Sequence, residues 1–187
     1  RHSKLWVGPA EEIKAYYAKL FVESMDLSGV DTVIELGGGF GYHSYLLQQK
    51  YPDKKFIVGE FSPNARKVGE SVTKGISFVP FNFYSDWSIL EGSKGAAVFT
   101  VHAVEMLADA KLFFDAIAPY KANFDSLTLF EPIYETGTDE LSKLRQKYIE
   151  VNQYNKNMNE FLTDAQVERD FFGFNPLFPV SRIPVPL

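Results

Sequence analysis

The chain contains no cysteine. Disulfides, thiolate metal sites and a cysteine nucleophile are excluded together, and a reducing compartment is expected. No apolar run approaches the roughly 18 residues of a membrane span, and no secretory signal pattern appears. The expected location is cytoplasmic, with no membrane partner. Clustered Lys and Arg are also missing: 19 basic side chains against 24 acidic ones leave a net charge of −5. A phosphate backbone selects the opposite balance, so nucleic acid is disfavoured as a partner. There is no internal repeat and no low-complexity tract. The first residue is Arg1 rather than Met, as expected of an incomplete amino terminus.

What is present is aromatic. Seventeen Phe and 10 Tyr among 187 residues supply large core side chains and candidate walls for a small-molecule pocket. The length suits one domain, residues 1–187, with an amino-terminal helical segment over 1–29 as a candidate lid or subunit contact carrying Trp6, Tyr16 and Tyr17. Short apolar runs at 31–36, 54–61, 76–83, 96–104 and 125–133 read as strands. Helical spacing over 9–25, 41–51, 62–74, 107–120 and 138–162 separates or flanks them. Ser62 and Pro63 form an N-cap and first-turn pair. This alternation predicts an α/β fold: a Rossmann-like, doubly wound, mostly parallel sheet with helices on both faces. The proline-rich end, with Pro176, Pro179, Pro184 and Pro186, predicts an antiparallel hairpin at the sheet edge.

Function concentrates in "VIELGGGFGY", residues 33–42. In an open parallel sheet, ligands sit beyond the carboxyl ends of the strands, and glycines let the backbone approach them. Gly37 and Gly39 fit the first two positions of a dinucleotide loop, but its third position falls on Tyr42. The spacing present is Glu35-x-Gly37-x-Gly39-x-Gly41, with Gly38 as an extra glycine. Glu60 ends the second strand, where an acid can bond both hydroxyls of a ribose; that feature would also serve NAD.

The glycine spacing resembles the first motif of class I S-adenosylmethionine-dependent methyltransferases. The resemblance covers roughly residues 30–135. It implies S-adenosyl-L-methionine as cofactor and a cofactor site of Glu35, Gly37, Gly38, Gly39, Gly41, Glu60, Phe61, Asn82 and Phe83. In the family an acid such as Glu35 serves the cationic end of the ligand, commonly through water. A residue at the position of Asn82 contacts the adenine amino group, with Asp86 as an alternative and with Phe81, Phe83 and Tyr84 flanking the ring. The family more often has Asp at position 82. At the fourth strand end, "TVHA" departs from the Asp/Asn-Pro-Pro-aromatic sequence of amino-directed members. The stretches "ELGGGFGY", "VHAVE", "FEP" and "FNPLFPVSRI" resemble those of bacterial sugar and small-molecule O-methyltransferases.

Methyl transfer to a hydroxyl is helped by a base, and histidine titrates near operating pH. His102 is the candidate base, and the alternative is a packed or substrate-contacting side chain. Glu105 and Glu131 are candidates to orient His102 or bind substrate. A divalent metal held by Glu105, Asp109 and Glu131 is a weaker alternative, and no metal is the expectation. Tyr148, Asn152, Asn155 and Asn159 form a polar stripe at helical spacing, read first as a hydrated face and second as a contact for a polyhydroxylated substrate. The expected partners are a small-molecule substrate and, through the first helix, a second copy of the chain. The competing functions are a non-catalytic binding domain with this fold and an NAD-dependent oxidoreductase.

Overall fold

A computed structural model describes residues 8–134, 136–162, 168–170 and 180–184; of residues 168–170 and 180–184 only the backbone is described. His2, Trp6 and the "FNPLFP" stretch at 174–179 lie outside the described residues. In chain order the elements are α1 (Ala10–Ser24), β1 (Thr32–Leu36), α2 (Tyr42–Lys50), β2 (Lys55–Glu60), α3 (Pro63–Val72), β3 (Ile76–Pro80), β4 (Ala96–Val101), α4 (Lys111–Ile117), β5 (Phe124–Phe130), α5 (Glu140–Asn152), α6 (Met158–Phe161), β6 (Glu168–Asp170) and β7 (Val180–Pro184).

The strands lie in one sheet in the order β3-β2-β1-β4-β5-β7-β6. β1 to β5 pair in parallel, while β7 runs antiparallel to both β5 and β6. The α/β reading and the carboxy-terminal antiparallel pair are therefore present. β7 is an inner strand that separates β6 from β5. β1 and β4 are adjacent although an entire βαβ unit separates them in sequence, so the switch point falls beside the glycine loop.

Period-two alternation divides the apolar side chains between two cores. Val33, Phe56, Val58, Phe99 and Val101 face α1 and α2, where Phe21, Met25 and Leu47 meet them. Ile34, Leu36, Val98, Leu127 and Leu129 face α4, where Phe113 and Ile117 close the other layer. Each fully buried large side chain contributes roughly 2 kcal/mol. The same alternation aims Glu35, two residues after Val33, at the α2 face. It aims Thr100, two after Val98, at the α4 face.

Several elements are shorter than the sequence pattern predicts, and for three the local cause is visible. β3 stops at Pro80, which has no N–H for the ladder, and Asn82 then accepts from Tyr84 N at 3.0 Å in a local turn. β4 stops at Val101 because His102 adopts a left-handed φ of 53°. The helix expected over 138–162 is two helices. It breaks at Gln153, φ 58°, where the amides of Gln153 and Tyr154 bond back to the carbonyls of Glu150 and Ile149. Asp139 caps the start of α5 by accepting from the amides of Leu141 and Ser142. Among the described residues, no helix is long and apolar enough to cross a membrane.

Candidate functional site

Beyond the carboxyl ends of β1, β2 and β4 lies a cavity of about 400 Å³. Gly37, Glu60, Phe61, Phe81, Asn82, Phe83, Tyr84, His102, Ala103, Met106 and Leu107 line it. The size is ordinary for a small-molecule site. The walls are mostly aromatic or aliphatic. Glu60 and His102 are the lining side chains that carry charge or can gain it.

The glycine loop separates into residues that face the cavity and residues that do not. Gly37 lines it with φ 73°, and a side chain there would meet Ala103 Cβ at 2.7 Å and the Phe83 ring at 3.1 Å. Gly39 has open space around it, and its amide donates to Glu60 Oε2 at 2.8 Å. Glu60 Oε1 accepts from Ser62 N at 2.7 Å, so both oxygens are oriented at the rim by backbone amides. Gly41 packs on the Phe78 ring at the start of α2. Gly38, unexplained by any motif, is a packing requirement. A Cβ there would stand 2.6 Å from Glu35 Cδ and 2.7 Å from Val58 Cγ1.

Glu35 departs from the place expected for it. It is 1% exposed and does not line the cavity. Its Oε2 accepts from Ser44 N at 3.1 Å and Ser44 Oγ at 2.6 Å. The carboxylate thus caps the amino end of α2, which lacks any side-chain cap of its own. The cause is the strand alternation that sends Val33 and Glu35 to the α2 side.

Phe61 (70% exposed) and Tyr84 (63% exposed) stand at the mouth, with Phe83 behind them. Asn82 reaches the wall, although its Oδ1 also accepts from Tyr84 N. Asp86 does not line the cavity; it caps the following turn through Ser88 N at 2.8 Å.

On the opposite wall, His102 Nδ1 lies 3.1 and 3.0 Å from the two Glu105 oxygens. Glu105 is only 2% exposed. A carboxylate facing Nδ1 places the proton there and leaves the lone pair on Nε2. Burial lowers the imidazole pKa, but the hydrogen bond and charge of Glu105 and the charge of Glu131 outweigh it, so the net direction is upward. The left-handed backbone at His102 costs about 1–2 kcal/mol.

Glu131 offsets that strain from beneath. It is 1% exposed and accepts from Thr100 Oγ1 at 2.7 Å, Ala103 N at 3.0 and 3.1 Å, and Glu105 N at 3.2 Å. Burial, then the neighbouring Glu105, pushes its pKa up to about 7 against these hydrogen bonds. Glu131 does not line the cavity, so its place is under the loop and not against a substrate. Glu105 likewise reaches the cavity only through His102.

Among the described residues, no group of three His, Asp or Glu side chains could hold a metal ion. Asp109 is engaged by Asn157 and by Lys111 N. The stripe expected on one long helix is divided by the break. Asn155 is buried and donates to the Val104 carbonyl at 2.8 Å. Ala103, Met106 and Leu107 were not singled out in the sequence, although they follow His102 directly. Asn157, which holds the end of this loop through Asp109 and Ala110 N, carries no sequence signal.

No protein-family model matches the chain, and no curated protein sequence matches it. Solved structures do. The chain superposes on one in the complex between the Haloferax volcanii Trm112 methyltransferase activator and its methyltransferase partner (TM-score 0.68, 16% identity, 95% of each chain). It superposes on an O-methyltransferase family protein from Burkholderia thailandensis (TM-score 0.70, 15% identity, 92% of this chain and 56% of that one). It also superposes on human N-acetylserotonin methyltransferase in complex with SAM (TM-score 0.70, 16% identity, 95% of this chain and 54% of that one). The chain spans about half the length of the latter two. Its fold is that of the class I S-adenosylmethionine-dependent methyltransferases.

Proposed function

We propose that the chain is an S-adenosylmethionine-dependent methyltransferase that directs the methyl group to a hydroxyl of a small-molecule acceptor. The observation that carries this reading is the convergence on one cavity of a bare backbone at Gly37, an oriented carboxylate at Glu60 and an imidazole at His102. The donor set suits the cofactor. A side chain at Gly37 would fill the cradle, and the two Glu60 oxygens suit a vicinal diol. Phe61, Phe83 and Tyr84 offer flat faces for a purine, and Asn82 offers an amide for its edge.

When bound, S-adenosylmethionine supplies an electrophilic methyl group on a sulfonium. The chain's own residues then have three tasks. Gly37, Glu60 and Asn82 bind and orient. Phe83, Ala103, Met106 and Leu107 exclude water, which strengthens charge interactions inside the cavity. His102 accepts the hydroxyl proton at Nε2 while Glu105 holds Nδ1–H. The imidazolium formed this way lies beside one buried carboxylate and near a second, so the charge it gains is stabilised where it develops.

Glu35, Gly38 and Gly41 support the site from behind without touching the ligand. An oxygen-directed reaction is favoured by a base on the wall and by the absence of an Asp/Asn-Pro-Pro turn after β4. Isothermal calorimetry with S-adenosylmethionine and with its demethylated product tests the reading. Binding of both with a 1:1 stoichiometry is expected. A folded protein that releases no heat with either would sink it.

A further inference from the structure

The cavity wall made by Ala103, Met106 and Leu107 belongs to no strand and to no α-helix. It is built on one 3₁₀ turn, Val104–Met106. Met106 N donates to the Ala103 carbonyl at 3.3 Å and Leu107 N to the Val104 carbonyl at 3.1 Å. Such turns have poorer hydrogen-bond geometry than an α-helix, and an isolated helical turn is unfavourable. Met106 is 72% exposed, so its side chain adds little packing.

Support comes from the segment after α5. Gln153 ends that helix with a left-handed φ of 58°. Asn155 N then donates to the Glu105 carbonyl at 3.0 Å, and Asn155 Nδ2 to the Val104 carbonyl at 2.8 Å. Asn157 donates to Asp109 at 2.6 Å and accepts from Ala110 N at 3.0 Å. The wall is thus pinned on both sides of Met106 and Leu107. Asn155 is 7% exposed, and among the described residues its Oδ1 has no hydrogen-bond partner. A buried acceptor without a partner lowers stability. Leu has nearly the same shape and carries no such atom. With Leu there, the Val104 carbonyl would still be bonded by Leu107 N. What Leu lacks is the Nδ2 donor, so the bond to the turn, and not packing, accounts for the amide.

We propose that Asn155 is a positioning residue for the cavity: its side-chain amide locks the Val104–Met106 turn, so that the wall of Met106 and Leu107 stands in place before the cofactor arrives. The proposal rests on the reading of the cavity as the S-adenosylmethionine site. A wall ordered in advance spares the ligand the cost of ordering it. If only about one molecule in ten holds the wall in place, apparent affinity falls about tenfold. The cavity has little slack at this wall. A Cβ added at Gly37 would stand 2.7 Å from Ala103 Cβ, so a shift of the turn changes the width directly.

The test combines amide hydrogen exchange with calorimetry on Asn155→Leu. The amides of Met106 and Leu107 should lose most of their protection, while those of β1 and β4 keep theirs. Saturation with the demethylated cofactor should restore the lost protection, and its affinity should be about tenfold below that of the unsubstituted protein. Asn152→Ala removes an amide from the exposed face of α5 and should change neither quantity. Asn155→Ala, smaller at the same place, carries the test if Leu is not accommodated. Unchanged exchange at Met106 and Leu107 overturns the proposal. So does exchange that rises equally in β1 and β4, which marks a general loosening, or an affinity equal to that of the unsubstituted protein. If the unsubstituted protein binds neither S-adenosylmethionine nor its demethylated product, the methyltransferase reading fails, and the exchange measurement still decides whether Asn155 holds the wall.

Discussion

Behind the glycine loop His43 Nδ1 faces Glu35 at 3.6 Å, and in front of it His102 Nδ1 faces Glu105 at 3.0 Å. Both glutamates are buried; His43 lies in the first turn of α2, and His102 directly follows β4. The surroundings differ. His43 is enclosed by the rings of Phe21 and Tyr42, and the Tyr17 hydroxyl lies 3.2 Å from its Nε2. Glu35 is occupied by the start of α2. His102 stands on the wall of a cavity, on a strained backbone that Glu131 holds in place. The rear pair joins α1 and α2 to the sheet. The front pair stands at the cavity, where His102 is part of the lining. A histidine beside an acid is thus no guide to chemistry until the face of the sheet is known.

The largest expected effect separates the two pairs directly. His102→Ala should lower turnover by roughly 10²–10⁴-fold while calorimetric affinity for S-adenosylmethionine changes less than about twofold. His43→Ala should leave turnover within about threefold and cost about 1 kcal/mol of stability. Equal losses of turnover in both variants would erase the distinction drawn between front and rear.

A second contrast sets the two organising carboxylates against each other. Glu131→Ala strands three donors, the Thr100 hydroxyl and the amides of Ala103 and Glu105, and is expected to cost about 4 kcal/mol in urea unfolding at pH 6. Glu35→Ala strands the amide and hydroxyl of Ser44 alone, and about 2 kcal/mol is expected. The reverse order would place the more demanding loop behind the site instead of in front.

A third contrast is a pH dependence that belongs to the front loop. Glu131 titrates near 7 in the folded protein and near its ordinary 4.5 when unfolded. Between those values the folded state holds a proton that the unfolded state has lost, so raising the pH removes stability, by at most about 3 kcal/mol. His102, whose folded pKa is also raised, adds in the same direction: its contribution is present below its ordinary 6.5 and is lost as pH rises through the folded value. Unfolding free energy should therefore fall from pH 5 to pH 8. Glu131→Gln should flatten that slope, and an unchanged slope would reject the assignment to Glu131.

Much of this was legible in the chain before any coordinates. The strand and helix alternation, the cavity-lining Gly37, Glu60, Phe61, Asn82 and Phe83, and the position of His102 on the opposite wall all follow from strand ends in an open sheet. The two acids nearest the motifs were harder to place. Glu35 and Glu131 look like ligand contacts because each ends a strand, yet each points to one of the packed faces. The long helix over 138–162 was misjudged for a similar reason. Its apolar spacing continues through Gln153, and the break depends on contacts made 50 residues earlier at Val104 and Glu105.

The sequence by itself determined the layer order of the fold and many, though not all, of the residues that border the cavity, because local periodicity and glycine spacing are short-range properties of the chain. Only the tertiary structure decided which carboxylates serve the cavity and which serve the loops beneath it. The same packing made Gly38 a contact of Glu35 and Val58, and brought Asn155 to the carbonyls of Val104 and Glu105. Burial and hydrogen-bond satisfaction set these roles, and both depend on partners distant in sequence that come together only when the sheet and its two layers close.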